Sequence, residues 1–303
     1  VHTSIGLGVA QILASMQDDI PGTVKFVFQP AEENLQGAKA MIKDGALENP
    51  RPDLIFAQHV YPMPVGSYIW TQGLFLSGLD AYTVTLSSNN NEGSCERLNE
   101  IAEECMIAIS SLNTIEIPTD LESLDAIIDD VSEGADYIRD FKIFWIRPGD
   151  EKGADQPVSF QFSYKAASDE MKKQAYDQII EVIKEIAASE QIQFDVEHFF
   201  KLPDTINDPD LVESTFGAIA AAVGEENITE WKGAFPFNGE DFSYFQDEIP
   251  GVMFALGCAN REKGIIGMPH MPDFDLDEEC LVVGTNVMAN ILLDYLIKNR
   301  SYS

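Results

Sequence analysis

The sequence predicts an α/β protein interrupted by an α+β insert. Three observations carry that prediction. Helix-like and strand-like patterns alternate over residues 1–79. Between residues 80 and 203 strands outnumber helices, as in an antiparallel sheet with helices on one face. From residue 204 onward a helix, a strand and a final helix return. A chain of 303 residues has room for one large domain or two of ordinary size. The boundaries expected are therefore 1–79 with 204–303 for the α/β part, and 80–203 for the insert.

Ile5, Val9, Ile12, Leu13 and Met16 recur at helical spacing, and Pro21-Gly22 ends that helix. Thr23–Phe28 (TVKFVF) is β-rich and predicts a strand running into Gln29-Pro30-Ala31-Glu32-Glu33. Gly37–Leu47 reads as a second helix with Gly45 near its end. Asp53–Val60 predicts an apolar strand, with His59 near its end, and Ser67–Thr71 one more. Strand, helix, strand in this order points to a parallel sheet covered by helices. In the insert, Ala81–Leu86 alternates as a strand and Ser87–Gly93 is a polar loop. Glu96–Leu112 predicts a helix, Phe141–Ile146 and Pro157–Tyr164 strands, and Ile192–His198 a fourth strand. Ser168–Ser189 predicts a long helix with Met171, Ala175, Ile179, Val182 and Ile186 on one face. Lys201–Asp204 reads as the return linker. Helix 210–223, a buried-type strand at Gly251–Gly257 and helix 277–297 complete the chain.

The 19 basic and 51 acidic residues give a net charge of −32. That balance argues against nucleic acid and anionic membrane surfaces as partners, because both select a basic footprint. It suits a protein that binds a metal cation. Residues 92–140 hold fourteen acidic and two basic residues, read as a solvated helical face. No apolar run reads as a membrane span, and no charged-then-apolar signal opens the chain, which starts at Val1. The four scattered cysteines read as reduced thiols, and the expected location is cytoplasmic.

Glu32-Glu33 falls just beyond the predicted strand, where ligands gather in α/β sheets. Adjacent carboxylates there can divide labour, one binding a metal and the other taking a proton from water. Taken as a bare dipeptide they read rather as a pair of exposed loop acids. His59, near the end of an apolar strand, reads by itself as a hydrogen-bonded core or edge histidine. His270 lies in Met268-Pro269-His270-Met271-Pro272-Asp273-Phe274-Asp275, whose prolines predict a rigid loop. His198 reads as structural, and His2 as a helix-start residue or a support behind the ligands. Glu33, His59 and His270 are the residue types of a zinc-type site with an open position for water.

The strings around these residues resemble one family. They are His2-Thr3-Ser4, Pro21 through Glu33, Gly37-Ala38-Lys39-Ala40-Met41-Ile42, Asp44-Gly45-Ala46-Leu47, His59-Val60 and Pro64-Val65-Gly66. Farther on come Asn207-Asp208-Pro209, Gly239-Glu240-Asp241-Phe242-Ser243-Tyr244-Phe245, and Pro269-His270 with Phe274-Asp275. Together they resemble the metal-dependent amidohydrolases that include hippurate hydrolase, indole-acetyl-amino-acid hydrolase and bacterial aminoacylases. The resemblance is specific over 1–79 and 204–303 and architectural over the insert. It implies a zinc-peptidase-like catalytic domain with an inserted lid that dimerises, and hence a homodimer. It implies Glu32 as general base and Glu33, His59 and His270 as ligands to a divalent metal, zinc or manganese, in a two-metal site. The reaction implied is hydrolysis of the amide bond of small N-acyl amino acids.

The chain also departs from the family pattern. Val1-His2 matches the last two positions of Cys-Gly-His-Asp-x-His, so the resemblance places two further ligands, and the first strands, ahead of residue 1. An incomplete catalytic sheet and weak or absent metal binding are expected from that. Ser87–Ser94 contains no histidine where the family's lid supplies one, the Asn-Val-Ile-Pro segment is missing near Gly153–Val158, and Lys165 stands where the family has an arginine. The alternative reading is a non-catalytic paralogue or fragment acting as a binding or dimerisation module.

Overall fold

Apolar spacing and turn chemistry set the order of elements. The computed structural model describes residues 1–88, 95–149, 157–189 and 191–298. The first part holds α1 (His2–Ser15), α2 (Gly37–Lys43), β1 (Ile55–Pro64), β2 (Tyr68–Trp70) and β3 (Gly73–Leu76). The middle holds β4 (Leu79–Ser88), α3 (Cys95–Ser110), α4 (Leu121–Glu133), α5 (Asp136–Arg139), β5 (Lys142–Pro148), β6 (Val158–Ala166), α6 (Asp169–Ser189) and β7 (Ile192–Leu202). The last part holds β8 (Thr205–Asn207), α7 (Pro209–Val223), β9 (Ile228–Glu230), α8 (Ser243–Gln246), β10 (Gly251–Ala259) and α9 (Glu279–Lys298). The chain divides into a larger unit, Val1–Phe75 with Thr205–Lys232 and Asp241–Ser303, and a smaller one, Leu76–Asp204 with Gly233–Glu240. Residues 233–240, left with the α/β part by the sequence, group with the smaller unit.

In the larger unit the main sheet has the order β1-β10-β2-β9. β1 and β10 run parallel, from Ile55 opposite Gly251 to Tyr61 opposite Gly257. β2 is antiparallel to β10 and parallel to β9, so the sheet is mixed rather than wholly parallel. The reason is the short turn after β1. Gly66 has φ 91°, and both the N–H and the hydroxyl of Ser67 donate to the Pro64 carbonyl. So tight a turn reverses the chain; a parallel return needs a crossover of a dozen or more residues. Every residue of β10 is buried, as its unbroken apolar run requires. Ile5, Val9 and Leu13 of α1, Val212 and Ile219 of α7, and Val287 and Ile291 of α9 pack with Val252, Phe254 and Leu256 in one core.

Thr23–Phe28, predicted as a strand, forms no strand. Among the described residues its backbone groups make no hydrogen bond to another backbone group. Side chains hold it instead. Val24 and Phe26 pack on the core, and the Lys25 ammonium donates to the carbonyls of Ala46 (3.1 Å), Glu48 (2.5 Å) and Pro50 (2.9 Å). α2 ends earlier than predicted, at Lys43, ahead of Gly45 at φ 89°. α9 is long and apolar enough to cross a membrane by length and composition, a feature the sequence reading missed. Its buried face, including Cys280, Gly284, Val287 and Ile291, belongs to the core just described.

The smaller unit has an antiparallel sheet of order β5-β6-β4-β7, with β7 continuing through Lys201-Leu202 of the predicted linker. Leu98, Ile101, Cys105 and Ile109 of α3 and Ala175, Ile179 and Ile183 of α6 pack with Val84, Phe160 and Phe162 of the sheet. α4 and α5 were not foreseen as separate helices. α4 buries Leu124, Ile127 and Val131, while Glu122, Asp125 and Asp129 are exposed, and Asp120 with Ser123 forms a capping box. Residues 89–94 and 150–156, which carry most of the polar loop and part of the 153–158 comparison, lie outside the described residues. Cys105, Cys258 and Cys280 are buried free thiols.

Asn207 ties the strands of the larger unit together. Its amide nitrogen donates to the carbonyls of Thr71 (3.0 Å) and Met253 (2.9 Å), and its oxygen accepts from the Met253 N–H (2.7 Å), all fully buried. Asn207→Leu strands three backbone groups without partners. We expect a loss on the order of 3 kcal/mol, measured by urea unfolding; an unchanged midpoint would count against this account.

Candidate metal centre

Glu32 and Glu33 stand on a one-turn 3-10 helix, Glu32–Asn34, between two residues in the left-handed region, Ala31 at φ 58° and Leu35 at φ 57°. Residues with a Cβ enter that region at roughly 1–2 kcal/mol each, so the turn needs outside support. Gly37 supplies part of it, because a Cβ there would lie 1.7 Å from the Pro30 carbonyl oxygen. Glu33 is largely exposed. Glu32 is half-buried, and its carboxyl is raised above the ordinary range by burial first and by the charges of Glu33 and Asp241, with His270 opposing.

His59 sits on β1 opposite Ala255. Its Nδ1 lies 2.7 Å from the Val60 carbonyl oxygen. A carbonyl only accepts, so Nδ1 carries the proton and Nε2 presents a bare lone pair, the form a metal ligand needs. The Val60 N–H in turn donates to Nε2 of His2 at 3.1 Å, which fixes neutral His2 as the same tautomer, with the proton on Nδ1. One residue, Val60, thus sets both rings, one through its carbonyl and the other through its N–H. Burial holds His59 down to about 4, with the Val60 bond opposing. Burial, then the charges of His59, the N-terminal amine and His270, holds His2 down to about 3.

His270 adopts φ 62° in its loop and places Nδ1 2.9 and 2.8 Å from the two carboxylate oxygens of Glu33. Its ring stacks on His59 with centroids 5.4 Å apart, and His59 meets His2 at 4.5 Å. Ligand atoms of Glu32, Glu33 and His270 all lie within 4.8 Å of one another. The sequence-predicted residues Glu32, Glu33, His59 and His270 therefore share one locus, although His59 falls outside that tightest group. Carboxylate oxygen with imidazole nitrogen is a donor set that fits zinc or manganese. His198 lies on β7 of the smaller unit, with Nε2 3.1 Å from Asp80. Lys165, also in the smaller unit, is turned inward and donates to the carbonyls of Ser77 and Asn238; burial pulls it down to about 7. The sequence reading assigned no role to Gln29 or Asp241. The buried Asp241 accepts from the side-chain amide of Gln29 and from the Ala38 N–H.

In the metal-free protein, an unfolded imidazole takes a proton near pH 6.5, while His59 and His2 resist it until about 4 and 3. The unfolded state binds more protons in that window, so stability falls as pH drops from about 6.5 toward 4. Urea midpoints of chelator-treated protein across this range should show the fall, and His59→Gln should flatten it. An equal slope in the variant would refute the assignment.

With this geometry in hand, the class is that of an α/β fold carrying a carboxylate–imidazole cluster and an α+β insert. The chain belongs to peptidase family M20/M25/M40, whose model matches residues 1–294. It is similar to "IAA-amino acid hydrolase ILR1-like 5" of Arabidopsis thaliana, at 28% identity over 99% of this chain and 67% of that protein. It is also similar to "IAA-amino acid hydrolase ILR1-like 6" of the same organism, at 27% identity over 99% of this chain and 61% of that protein. "Putative amidohydrolase YhaA" of Bacillus subtilis matches at 26% identity over 97% of this chain and 71% of that protein. The chain thus spans about two thirds of the length of the curated relatives it matches. Among solved structures, the Bacillus subtilis YXEP protein, described as a dinuclear metal binding peptidase, matches the fold with TM-score 0.68 at 22% identity. That match covers 98% of this chain and 71% of the other.

Proposed function

We propose that this chain belongs to a metal-dependent amidohydrolase that cleaves the amide bond of small N-acyl amino acids. The observation that carries the reading is the convergence of Glu32, Glu33 and His270 ligand atoms within 4.8 Å, beside a neutral His59. The names of the relatives, hydrolases of an amino-acid conjugate and an amidohydrolase, support the substrate class. Glu33, His59 and His270 would hold zinc or manganese. Bound there, such an ion polarises an amide carbonyl and acidifies water. Glu32 is the residue left to move protons. Its half-buried carboxylate takes a proton from the attacking water and gives it to the departing nitrogen as the C–N bond breaks. Glu33, as a ligand, would have its charge committed to the cation and so would not be the group that carries the proton.

The test combines calorimetric titration of chelated protein with zinc or manganese and an assay for free amino acid released from N-acetyl and N-benzoyl amino acids. Glu32→Gln should keep metal affinity and lose roughly a hundredfold or more of the turnover. Glu33→Gln should lose metal affinity by roughly tenfold or more, and turnover with it. The reverse pattern would exchange the two roles, and no release above a chelated control at saturating metal would sink the hydrolase reading.

The reading includes a homodimer through the smaller unit. β7 lies at the edge of its sheet and exposes Phe199. Edge strands invite pairing across a two-fold axis. Light scattering at moderate salt should give twice the chain mass, and Phe199→Glu should shift it to monomer; a monomer at high concentration would refute the contact.

A further inference from the structure

Asp241 is fully buried, and each of its carboxylate oxygens takes one donor. Oδ1 accepts from the Gln29 side-chain amide at 2.5 Å, and Oδ2 accepts from the Ala38 backbone N–H at 3.0 Å. Gln29 and Ala38 are the two ends of the loop that carries Glu32 and Glu33. That loop has two non-glycine residues in the left-handed region and a glycine pressed on the Pro30 carbonyl, so it does not close by local preference. Among the described residues no basic side chain pairs with Asp241. A buried carboxylate without a cation is costly unless its oxygens are hydrogen-bonded. A two-acceptor group facing two donors meets that condition, whereas an amide offers one acceptor. A second tie lies nearby, where the Lys39 ammonium sits 4.4 Å from the ring centroid of Tyr244.

We propose that Asp241 is a positioning residue that clasps both ends of the 29–38 loop and so sets where the carboxylates of Glu32 and Glu33 stand. Their catalytic and ligand roles rest on the function proposed above; the clasp does not. It lies beside the metal locus, with a carboxylate oxygen within 4.8 Å of one of Glu32, and it acts through the two N–H donors its oxygens hold.

A reciprocal exchange tests it. Gln29→Glu sets carboxylate against carboxylate and should open the clasp. Adding Asp241→Asn restores a donor–acceptor pair, because the new amide can donate to Gln29→Glu and still accept from the Ala38 N–H. Hydrogen–deuterium exchange over residues 29–38 and calorimetric zinc affinity are both read on the whole chain. Gln29→Glu should speed exchange in the loop by roughly tenfold and weaken zinc. The double variant should return both toward wild type, with β10 amides unchanged throughout as a check on the fold. Asp241→Ala should speed loop exchange, and Gln29→Glu should not rescue it. Unchanged loop exchange in Gln29→Glu, or no recovery in the double variant, would overturn the clasp. If wild-type protein binds no zinc, the metal reading fails, while the exchange data still decide the clasp.

Discussion

The parallel pairing of β1 with β10 is the constraint on which the larger unit depends. Because both strands run the same way, their carboxyl ends emerge together, with Tyr61 opposite Gly257. Site residues that are far apart in sequence then need only short excursions from neighbouring strand ends. His59 reaches the locus from within β1, and His270 from the segment that follows β10. This is the general place for ligands in open α/β sheets. The buried face of β10 supplies the rigidity, since its residues pack against α1, α7 and α9 in one core.

Much of this was legible in the sequence, for identifiable reasons. Long helices with strong apolar spacing, such as α6 and α7, and the unbroken apolar run of β10 fall close to where periodicity places them. Thr23–Phe28 did not become a strand although its residues favour one, because strand formation needs a partner backbone and composition cannot report whether one is there. α4 was hidden by its setting: the carboxylates at 122, 125 and 129 masked an apolar stripe of Leu124, Ile127 and Val131. At the site, Glu32, Glu33, His59 and His270 were visible by residue type and by the strings around them. The Gln29–Asp241 pair was not, because its two members are 212 positions apart and no sequence spacing links an amide to a carboxylate over that separation.

Charge explains a second feature of the site. A protein of net charge −32 would be expected to favour protonated imidazoles, yet His59 is held down to about 4 and His2 to about 3. Exposed carboxylates act through water and are screened within about 8–10 Å at ordinary salt. Burial acts on the ring itself and has no such screening. The carbonyl and the N–H of Val60 then fix which nitrogen of each neutral ring is unprotonated, Nε2 in both. The acidic surface and the neutral histidines are compatible because they operate over different distances.

The two loops that carry the site are closed in the same physical way. Residues 29–38 are joined through Asp241, which accepts from the side chain of Gln29 and the backbone of Ala38. Residues 260–277 are joined through Asp277, which accepts from the Asn260 amide at 2.6 Å and the Lys263 ammonium at 2.7 Å, while its own N–H donates to the Cys258 carbonyl. The Lys263 bond, then the Glu279 N–H and Asn260, hold the Asp277 carboxyl down to about 2, so this closure persists across the pH range in which the histidines titrate. Each loop holds residues in left-handed backbone, Ala31 and Leu35 in one and His270 in the other. A loop that must present a side chain through an unfavourable backbone cannot rely on local preference, so an acidic residue at its base supplies the missing restraint. Glu33 and His270 stand on different loops, and their contact at 2.8 Å depends on both closures holding.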